Sequence, residues 1–219
     1  MRGDVRSDFG AVTVSARGAA RVRGGHPWVY RQDVVRGPAK DARAGGPSLV
    51  EVRDARGKAL GVATWASDAR IALRVIHVQM GAGADAPPRD LLALVGARFD
   101  AARARRESLA LARDAVRLVH AESDGLPGLV VDRYADAAVV QTTSVAMNAL
   151  RDPIAALVRE RLGARIVIAR DDGSARDFEG LPRFAGVVAG PPDASTRVEY
   201  RLGPNRLEAD LLTDVYVRY

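Results

Sequence analysis

The sequence contains no cysteine, and this absence excludes several kinds of chemistry at once. Without a thiol there is no disulfide, no thiolate metal site and no cysteine nucleophile. Long apolar runs are also missing, since no stretch approaches the roughly 18 residues that suggest a membrane-spanning helix. The first residues, MRGDVRSDFGAVTVS, lack the apolar centre of a signal peptide. We therefore expect a cytoplasmic protein with no membrane partner.

The remaining composition is that of a folded globular protein, with 47% apolar and 27% charged residues. A chain of 219 residues can form one large domain or two small ones, each with its own core. The segment QMGAGADAPP, residues 79–88, has the small residues and prolines of a linker. We predict a first domain at 1–80 and a second domain at 88–190.

Positive charge is concentrated at one end of the chain. Residues 1–80 contain 14 basic and 7 acidic residues, a net charge of +7, whereas residues 81–219 contain 19 and 20, a net charge of −1. Arginine supplies 31 of the 33 basic residues. A GC-rich genome explains the excess of arginine over lysine, but it does not explain the uneven distribution. A basic, arginine-rich module favours a nucleic-acid partner.

Periodicity predicts an α+β protein. In the first domain, short strands at 11–15, 48–54, 59–65 and 71–78 favour a small β-barrel or sandwich. The second domain opens with helical spacing of Leu91, Val95, Phe99 and Ala102. It continues with strands at 115–122, 126–134 and 137–144, a helix at 154–162 closed by Gly163, a strand at 165–172, and a final hairpin of 196–202 and 206–212.

Three segments together resemble one family. They are GGHPWVYRQDV (24–34), RLVHAESDGLPGLVVDRYADAAVVQ (117–141) and ARDDGSARDFEGLP (169–182). The chain from about Arg17 to about Thr213 resembles the N-terminal two-thirds of bacterial large-subunit rRNA cytosine-C5 methyltransferases. That resemblance implies an N-terminal RNA-binding PUA domain, here a small β-barrel, followed by a small α+β domain. It implies ribosomal RNA as the partner, and S-adenosylmethionine as the cofactor of the full-length family.

The sequence departs from this family at its end. In the family, a strand like EADLLT leads into a glycine-lysine-threonine stretch and a Rossmann-like cofactor domain, but here LLTDVYVRY runs to Tyr219. There is no G-x-G-x-x-G turn for a cofactor and no thiolate to add to the cytosine ring. We therefore expect 195–219 to be a hairpin leading to an absent methyltransferase domain. This truncated chain would have no catalytic residues and no bound cofactor, and a separately encoded methyltransferase domain would be a second partner.

The candidate RNA-binding residues surround the Gly24-Gly25-His26-Pro27-Trp28 corner. They are Arg21, Arg23, His26, Trp28 and Arg31. The arginines can contact phosphates or can form a solvated face. The indole of Trp28 can stack on a base or can pack in the barrel core. Arg70 and Arg74, in or beside a strand, are secondary candidates.

The turn DGLPG carries more chain-bending residues than an ordinary loop needs. We predict that it fixes the shape of the second domain and presents a face to a methyltransferase domain. The predicted domain-interface residues are Asp124, Gly125, Pro127, Gly128 and Glu179.

Two other functions stay open at this point. The acidic residues near 120–124 and 171–172, with His120, could form the site of a metal-dependent enzyme, although turn and capping roles explain them as well. Alternatively, the second domain could be a protein-docking module.

Overall fold

The computed structural model describes residues 10–38, 49–79, 89–108 and 114–213. The chain divides into two compact units, Met1–Leu91 and Leu92–Tyr219, and each has its own buried core. The predicted linker at 79–88 lies, apart from Gln79, outside the described residues. So do residues 214–219 of the predicted final segment.

The first unit is built around a six-stranded sheet. Its elements are β1 (Gly10–Val14), α1 (Ala16–Arg23), β2 (Trp28–Tyr30), a 3₁₀ helix (Arg31–Asp33), β3 (Val34–Arg36), β4 (Leu49–Arg53), β5 (Ala59–Trp65) and β6 (Ile71–Val78). The strand order is β2-β6-β5-β4-β1-β3, with β1 and β4 parallel and the other pairs antiparallel. Fully buried Val12, Val29 and Leu73 belong to its core, which also includes Ala19 and Val22 of α1.

Helix α1 is short and depends on contacts outside itself. The hydroxyl of Ser15 caps it by accepting from the N–H of Gly18 (3.1 Å), and the N–H of Ser15 donates to the carbonyl of Asp33 (2.8 Å). Gly18 permits this approach, because a Cβ there would lie 3.2 Å from the Cβ of Asp33. The start of α1 is therefore fixed against the 3₁₀ helix.

The second unit contains a five-stranded sheet, two helical regions and a hairpin. Its elements are α2 (Leu91–Glu107, starting at the boundary), β7 (Ala115–His120), a 3₁₀ helix (Ala121–Asp124), β8 (Leu129–Tyr134), β9 (Ala137–Thr142), α3 (Val145–Ala149), α4 (Arg151–Leu162), β10 (Ile166–Asp171), a 3₁₀ helix (Ser174–Glu179), β11 (Phe184–Ala189), β12 (Arg197–Leu202) and β13 (Asn205–Asp210). The sheet order is β11-β10-β9-β8-β7, and only β9 and β10 are parallel among these described strands.

Both faces of this sheet are covered. Val139, Ile166 and Ile168 pack with residues of the β12–β13 hairpin and Leu211 on one side. Helix α4 packs against β9, β10 and β11. Val140 and Val167, which alternate with the first set along β9 and β10, are also fully buried. The central strands are therefore apolar on both faces.

The predicted α+β fold class is confirmed, and each of the predicted strands and helices corresponds to an element. The helix closed by Gly163 begins at Arg151, so Pro153 lies in its first turn, and Gly163 has the left-handed conformation (φ 60°). Helices α1 and α3 and the strands β2, β3 and β11 have no counterpart in the sequence prediction.

Candidate nucleic-acid interface

An open cleft of about 540 Å³ lies on the first unit. Helix α1 supplies Arg21, the end of β2 supplies Tyr30, and the turn before β6 supplies Arg70. The 3₁₀ helix supplies Arg31 and Gln32. Four separate parts of the fold thus meet at one concave surface with three guanidinium groups, one phenol and one amide.

Backbone and ring contacts hold the walls of this cleft together. The N–H of Arg31 donates to the carbonyl of Arg70 (3.0 Å), which ties the 3₁₀ helix to the turn before β6. The guanidinium of Arg21 lies 5.1 Å from the centre of the Tyr30 ring. That of Arg31 lies 5.9 Å from the ring of Trp65. Cation–π contacts of this kind keep an arginine in place without neutralising its charge.

The three guanidinium groups of the cleft are not held in direct ion pairs within the described ranges. Within the described ranges, no carboxylate lies within ion-pair distance of Arg21, Arg31 or Arg70. Other arginines of the same unit do have carboxylate partners: Arg17 with Asp33, Arg23 with Asp54, and Arg53 with Glu51. The three arginines of the cleft therefore present charge that no direct ion pair with a described residue neutralises.

Asp33 orients the elements behind the cleft. Its carboxylate is almost fully buried and accepts from the Nε of Arg17 (2.7 Å) and from the hydroxyl of Ser15 (3.1 Å). Burial raises the pKa of Asp33, but these hydrogen bonds and the charges of Arg17 and Arg21 outweigh it, so the pKa is lowered. Asp33 is therefore ionised at neutral pH; its carboxylate is hydrogen-bonded to Arg17 and Ser15, and it also feels the charge of Arg21 in the cleft.

The structure brings only some of the predicted RNA-binding residues together. Arg21 and Arg31 line the cleft. Arg23 is not among its lining residues, and its Nη2 lies 2.5 Å from Oδ2 of Asp54. A role for Arg23 in RNA binding stays a prediction, with the Asp54 pair as its competitor.

His26 and Trp28 form the corner between α1 and β2. The N–H of Trp28 donates to Nδ1 of His26 (3.1 Å), and their rings meet edge to face at 6.1 Å. Trp28 is half-buried, and the guanidinium of Arg74 lies 5.8 Å from its ring. Val29, not Trp28, belongs to the buried core cluster of this strand. The corner thus directs β2 into the sheet, and neither ring lines the cleft.

Sequence reasoning did not select Tyr30 and Gln32, and it ranked Arg70 as secondary. Tyr30 and Gln32 flank Arg31 in the sequence, so the quoted segment GGHPWVYRQDV already contained them. Arg70 joins them only because β2 pairs with β6, with Tyr30 opposite Ile71. That pairing has no signal in the local sequence.

The DGLPG turn is fixed by a buried carboxylate. Asp124 accepts from Nη1 and Nη2 of Arg106 (2.6 and 2.7 Å), from Nη2 of Arg105 (2.8 Å), and from the N–H of His120 (2.6 Å). Burial raises the pKa of Asp124, but hydrogen bonds from Arg106, Arg105 and His120 prevail and lower it to about 2. Asp124 therefore ties α2 to the end of β7.

The rest of this turn also faces its own unit. The carbonyl of Gly125 accepts from Nη1 of Arg98, and Pro127 and Gly128 are buried. Gly128 has φ 84°, and a Cβ there would lie 2.4 Å from the hydroxyl oxygen of Ser144. The structure gives the turn an internal role, and its predicted role in a domain interface stays a prediction.

Glu179, the fifth predicted interface residue, ends a loop that a buried arginine organises. Arg176 is 1% exposed and donates to the carbonyls of Thr142 and Pro182 and to the side chain of Asn148. Its Nη1 lies 3.4 Å from Oδ2 of Asp171. Asp171 in turn accepts from the N–H and hydroxyl of Thr142 (2.6 and 2.8 Å).

These networks also bear on the alternative of a metal-dependent enzyme. Asp124 and Asp171 are both held by arginines, and His120 is exposed at the end of β7. Among the described residues, no group of three or more His, Asp or Glu side chains is arranged to hold a metal ion. The acidic residues that motivated this alternative have structural partners instead.

In the described ranges, the turns that join a strand with a parallel neighbour to an α-helix lack the glycines of a nucleotide-type cofactor site. Such sites use a glycine-rich turn between a strand with a parallel neighbour and the following helix. In the described part of the chain, β1 leads into α1 through Ser15, and β9 leads into α3 through Thr143 and Ser144. Neither turn contains glycine, and the side chains of Ser15 and Ser144 are used as helix caps.

Comparison with known proteins places the cleft in a recognised domain. Residues 12–77 match a family described as a PUA-like domain. Over 167 residues the chain is 33% identical to "Ribosomal RNA large subunit methyltransferase I" of Shewanella amazonensis, covering 75% of this chain and 40% of that protein. It is 37% identical over 140 residues to "Ribosomal RNA large subunit methyltransferase" of Deinococcus radiodurans, covering 61% and 32%. These similarities connect the chain to large-subunit rRNA methyltransferases.

The fold has a match among solved structures. A "putative SAM-dependent methyltransferase from Streptococcus mutans" aligns with a TM-score of 0.66 at 13% identity, covering 90% of this chain and 47% of that one. At this identity the match concerns the fold alone. The chain spans about 40% of the length of the first of the rRNA methyltransferases named above. None of the helices in the described ranges is long and apolar enough to cross a membrane.

Proposed function

We propose that this chain binds ribosomal RNA through the cleft of its PUA-like domain, as the RNA-binding part of a cytosine-C5 methyltransferase system. The observation that carries the proposal is the convergence of Arg21, Arg31 and Arg70, without carboxylate partners among the described residues, on one concave surface. Arginine forks match phosphate oxygens, and the release of counterions from RNA supplies the affinity. With ribosomal RNA as its ligand, we expect the protein in the cytoplasm.

The test is RNA binding across a salt series. A variant with Arg21→Ala, Arg31→Ala and Arg70→Ala should bind a large-subunit rRNA fragment more weakly than the parent. Its plot of log affinity against log salt should flatten by up to about 3 if each arginine neutralises one phosphate. Filter binding between low and physiological salt measures both quantities, and thermal melts verify that the variant is folded.

A matched control removes the same charge elsewhere. Arg183, Arg197 and Arg201 are exposed and pair with Asp177, Glu208 and Asp114 on the second unit. Their triple alanine variant should keep the affinity and salt slope of the parent. If the cleft variant also keeps both, the cleft is not the RNA site. A further variant, Arg23→Ala, tests whether the corner contributes beyond the cleft.

We assign methyl transfer to the part of the rRNA methyltransferases that the match does not cover. Residues 1–219 have no thiol to activate cytosine C5. The two turns that lead from β1 into α1 and from β9 into α3 contain no glycine for a cofactor. We therefore expect no specific binding of S-adenosylmethionine by residues 1–219, as measured by titration calorimetry. Micromolar binding would contradict this expectation and would reveal a cofactor site of another type.

A further inference from the structure

Two side chains in the cleft, those of Tyr30 and Gln32, have no positive charge with which to bind phosphate. Gln32 is exposed, Tyr30 is half-buried, and neither side chain has a hydrogen-bond partner among the described residues. The amide of Gln32 offers one acceptor and two donors, and the phenol of Tyr30 offers one of each kind. The three arginines already supply the charge for phosphates. If the amide and the phenol take part in binding, they contact a part of the ligand other than its phosphates.

The arrangement of these groups matches a nucleobase. The guanidinium of Arg21 lies 5.1 Å from the centre of the Tyr30 ring, and both kinds of group stack on bases. Gln32 lines the same cleft, where its amide can meet the donor–acceptor edge of a stacked base. A cleft of about 540 Å³ is within the size range of pockets that enclose small ligands, so one nucleoside fits in it.

We infer that the cleft takes one unpaired nucleotide of the RNA, with the base stacked on the Tyr30–Arg21 pair and its edge read by Gln32. This inference rests on the proposed function. In an A-form duplex the bases are stacked and their major-groove edges lie too deep for side chains. A base can reach a pocket only from a single strand, loop or bulge. The ligand class is therefore single-stranded or loop RNA, with Arg31 and Arg70 on the flanking phosphates.

The first experiment compares RNA shapes at equal charge. The full chain is titrated by fluorescence anisotropy with a labelled duplex and with a single strand that has the same number of phosphates. We expect the single strand to bind about tenfold tighter or more. Equal or tighter binding of the duplex overturns the inference, whereas the proposed function survives if the cleft arginines still control the salt slope.

The second experiment examines Gln32 directly. Oligomers of A, C and U should bind the parent with different affinities, and Gln32→Met should reduce those differences by roughly fivefold to a hundredfold, the value of one bidentate base contact. Methionine keeps the length of glutamine but cannot form these hydrogen bonds. The salt slope should not change, because the arginines remain. If the base preferences of Gln32→Met equal those of the parent, Gln32 does not read the base.

Matched variants separate recognition from folding. Gln79→Met alters an exposed glutamine of the same unit that does not line the cleft, and it should leave base preference unchanged. Tyr30→Phe keeps the stacking ring and should bind single strands nearly as the parent does, whereas Tyr30→Leu should weaken them about tenfold. The comparison requires that Tyr30→Phe and Tyr30→Leu have the same melting temperature. If Tyr30→Leu melts lower, the base preferences of Gln32→Met alone test the inference.

Discussion

Among the described residues, some arginine side chains form an ion pair with a carboxylate, and others do not. Arg106 and Arg176 lie in buried or half-buried networks, where they form ion pairs with Asp124 and Asp171. Arg21, Arg31 and Arg70 use ring stacking or solvent instead. A sequence rich in arginine cannot by itself separate these roles, because the distance along the chain to a carboxylate does not show which pairs meet: Asp171 lies five residues from Arg176, and Asp124 lies eighteen from Arg106. The pairing therefore has to come from the fold.

Gly128 is a residue whose backbone and surroundings both exclude a side chain. Its φ is 84°, and an added Cβ would lie 2.4 Å from Oγ and 2.6 Å from Cβ of Ser144, the cap of α3. We expect Gly128→Ala to lower the free energy of unfolding by about 2–5 kcal/mol, from left-handed strain and overpacking together. Urea denaturation of the purified protein measures the loss.

Gly163 provides the matched control for that substitution. It also has a positive φ, 60°, but nothing lies within 4 Å of its ideal Cβ. Gly163→Ala should therefore show the backbone strain alone, about 1–2 kcal/mol. Equal losses for the two variants would mean that Ser144 moves aside at no cost, and that the close contact has no part in selecting glycine.

Among the elements, α2 is joined to the DGLPG turn by the Asp124 carboxylate as well as by the hydrogen bond from Arg98 to the carbonyl of Gly125. The pKa of Asp124 is about 2 in the fold against an ordinary 3.8, so its stabilising effect is complete above about pH 4 and is lost as the pH falls towards 2. The shift corresponds to about 2 kcal/mol. We expect Asp124→Asn to be less stable than the parent by at least this amount at pH 7.

Urea denaturation at pH 7, 4 and 2.5 measures the dependence on pH. The difference between parent and Asp124→Asn should be constant from pH 7 to about 4 and should shrink below that, because the parent's own carboxyl then becomes protonated. Other carboxyl groups titrate in both proteins and cancel in the comparison. A difference that is as large at pH 2.5 as at pH 7 would show that the lost interaction is not the ionised carboxylate.

The elements also differ in how far the sequence predicts them. Helix α2 is long and its apolar residues Val95, Phe99 and Ala102 are all buried, so the helical period was visible. Helix α1 has eight residues with Gly18 inside it, and its support comes from Asp33, which periodicity cannot detect. Strand β11, FAGVVA, is a half-exposed edge strand without alternation. The cleft could not be predicted from local sequence either, because Arg70 reaches Tyr30 only through the pairing of β2 with β6.

In the whole molecule, the two units differ in net charge, and each has its own hydrophobic core. The first unit has the basic excess and a core containing Val12, Val29 and Leu73. The second is close to neutral and has a core that includes Val139, Ile166 and Ile168. Since neither core cluster includes residues of the other unit, we expect each unit to fold without the other.

Limited proteolysis tests this independence and the location of RNA binding together. The segment 79–88 contains small residues and prolines but no basic residue, so a protease that cleaves after alanine or glycine should cut there before it cuts the two cores. Each purified fragment should keep a cooperative thermal melt.

The N-terminal fragment, which contains the net charge of +7 in residues 1–80, should retain the salt-dependent RNA binding of the whole chain, and the C-terminal fragment should bind weakly or not at all. Unfolding of either fragment after cleavage would contradict independent units. Binding that needs both fragments would instead place part of the RNA site on the second unit, and would limit the cleft to one part of a larger surface.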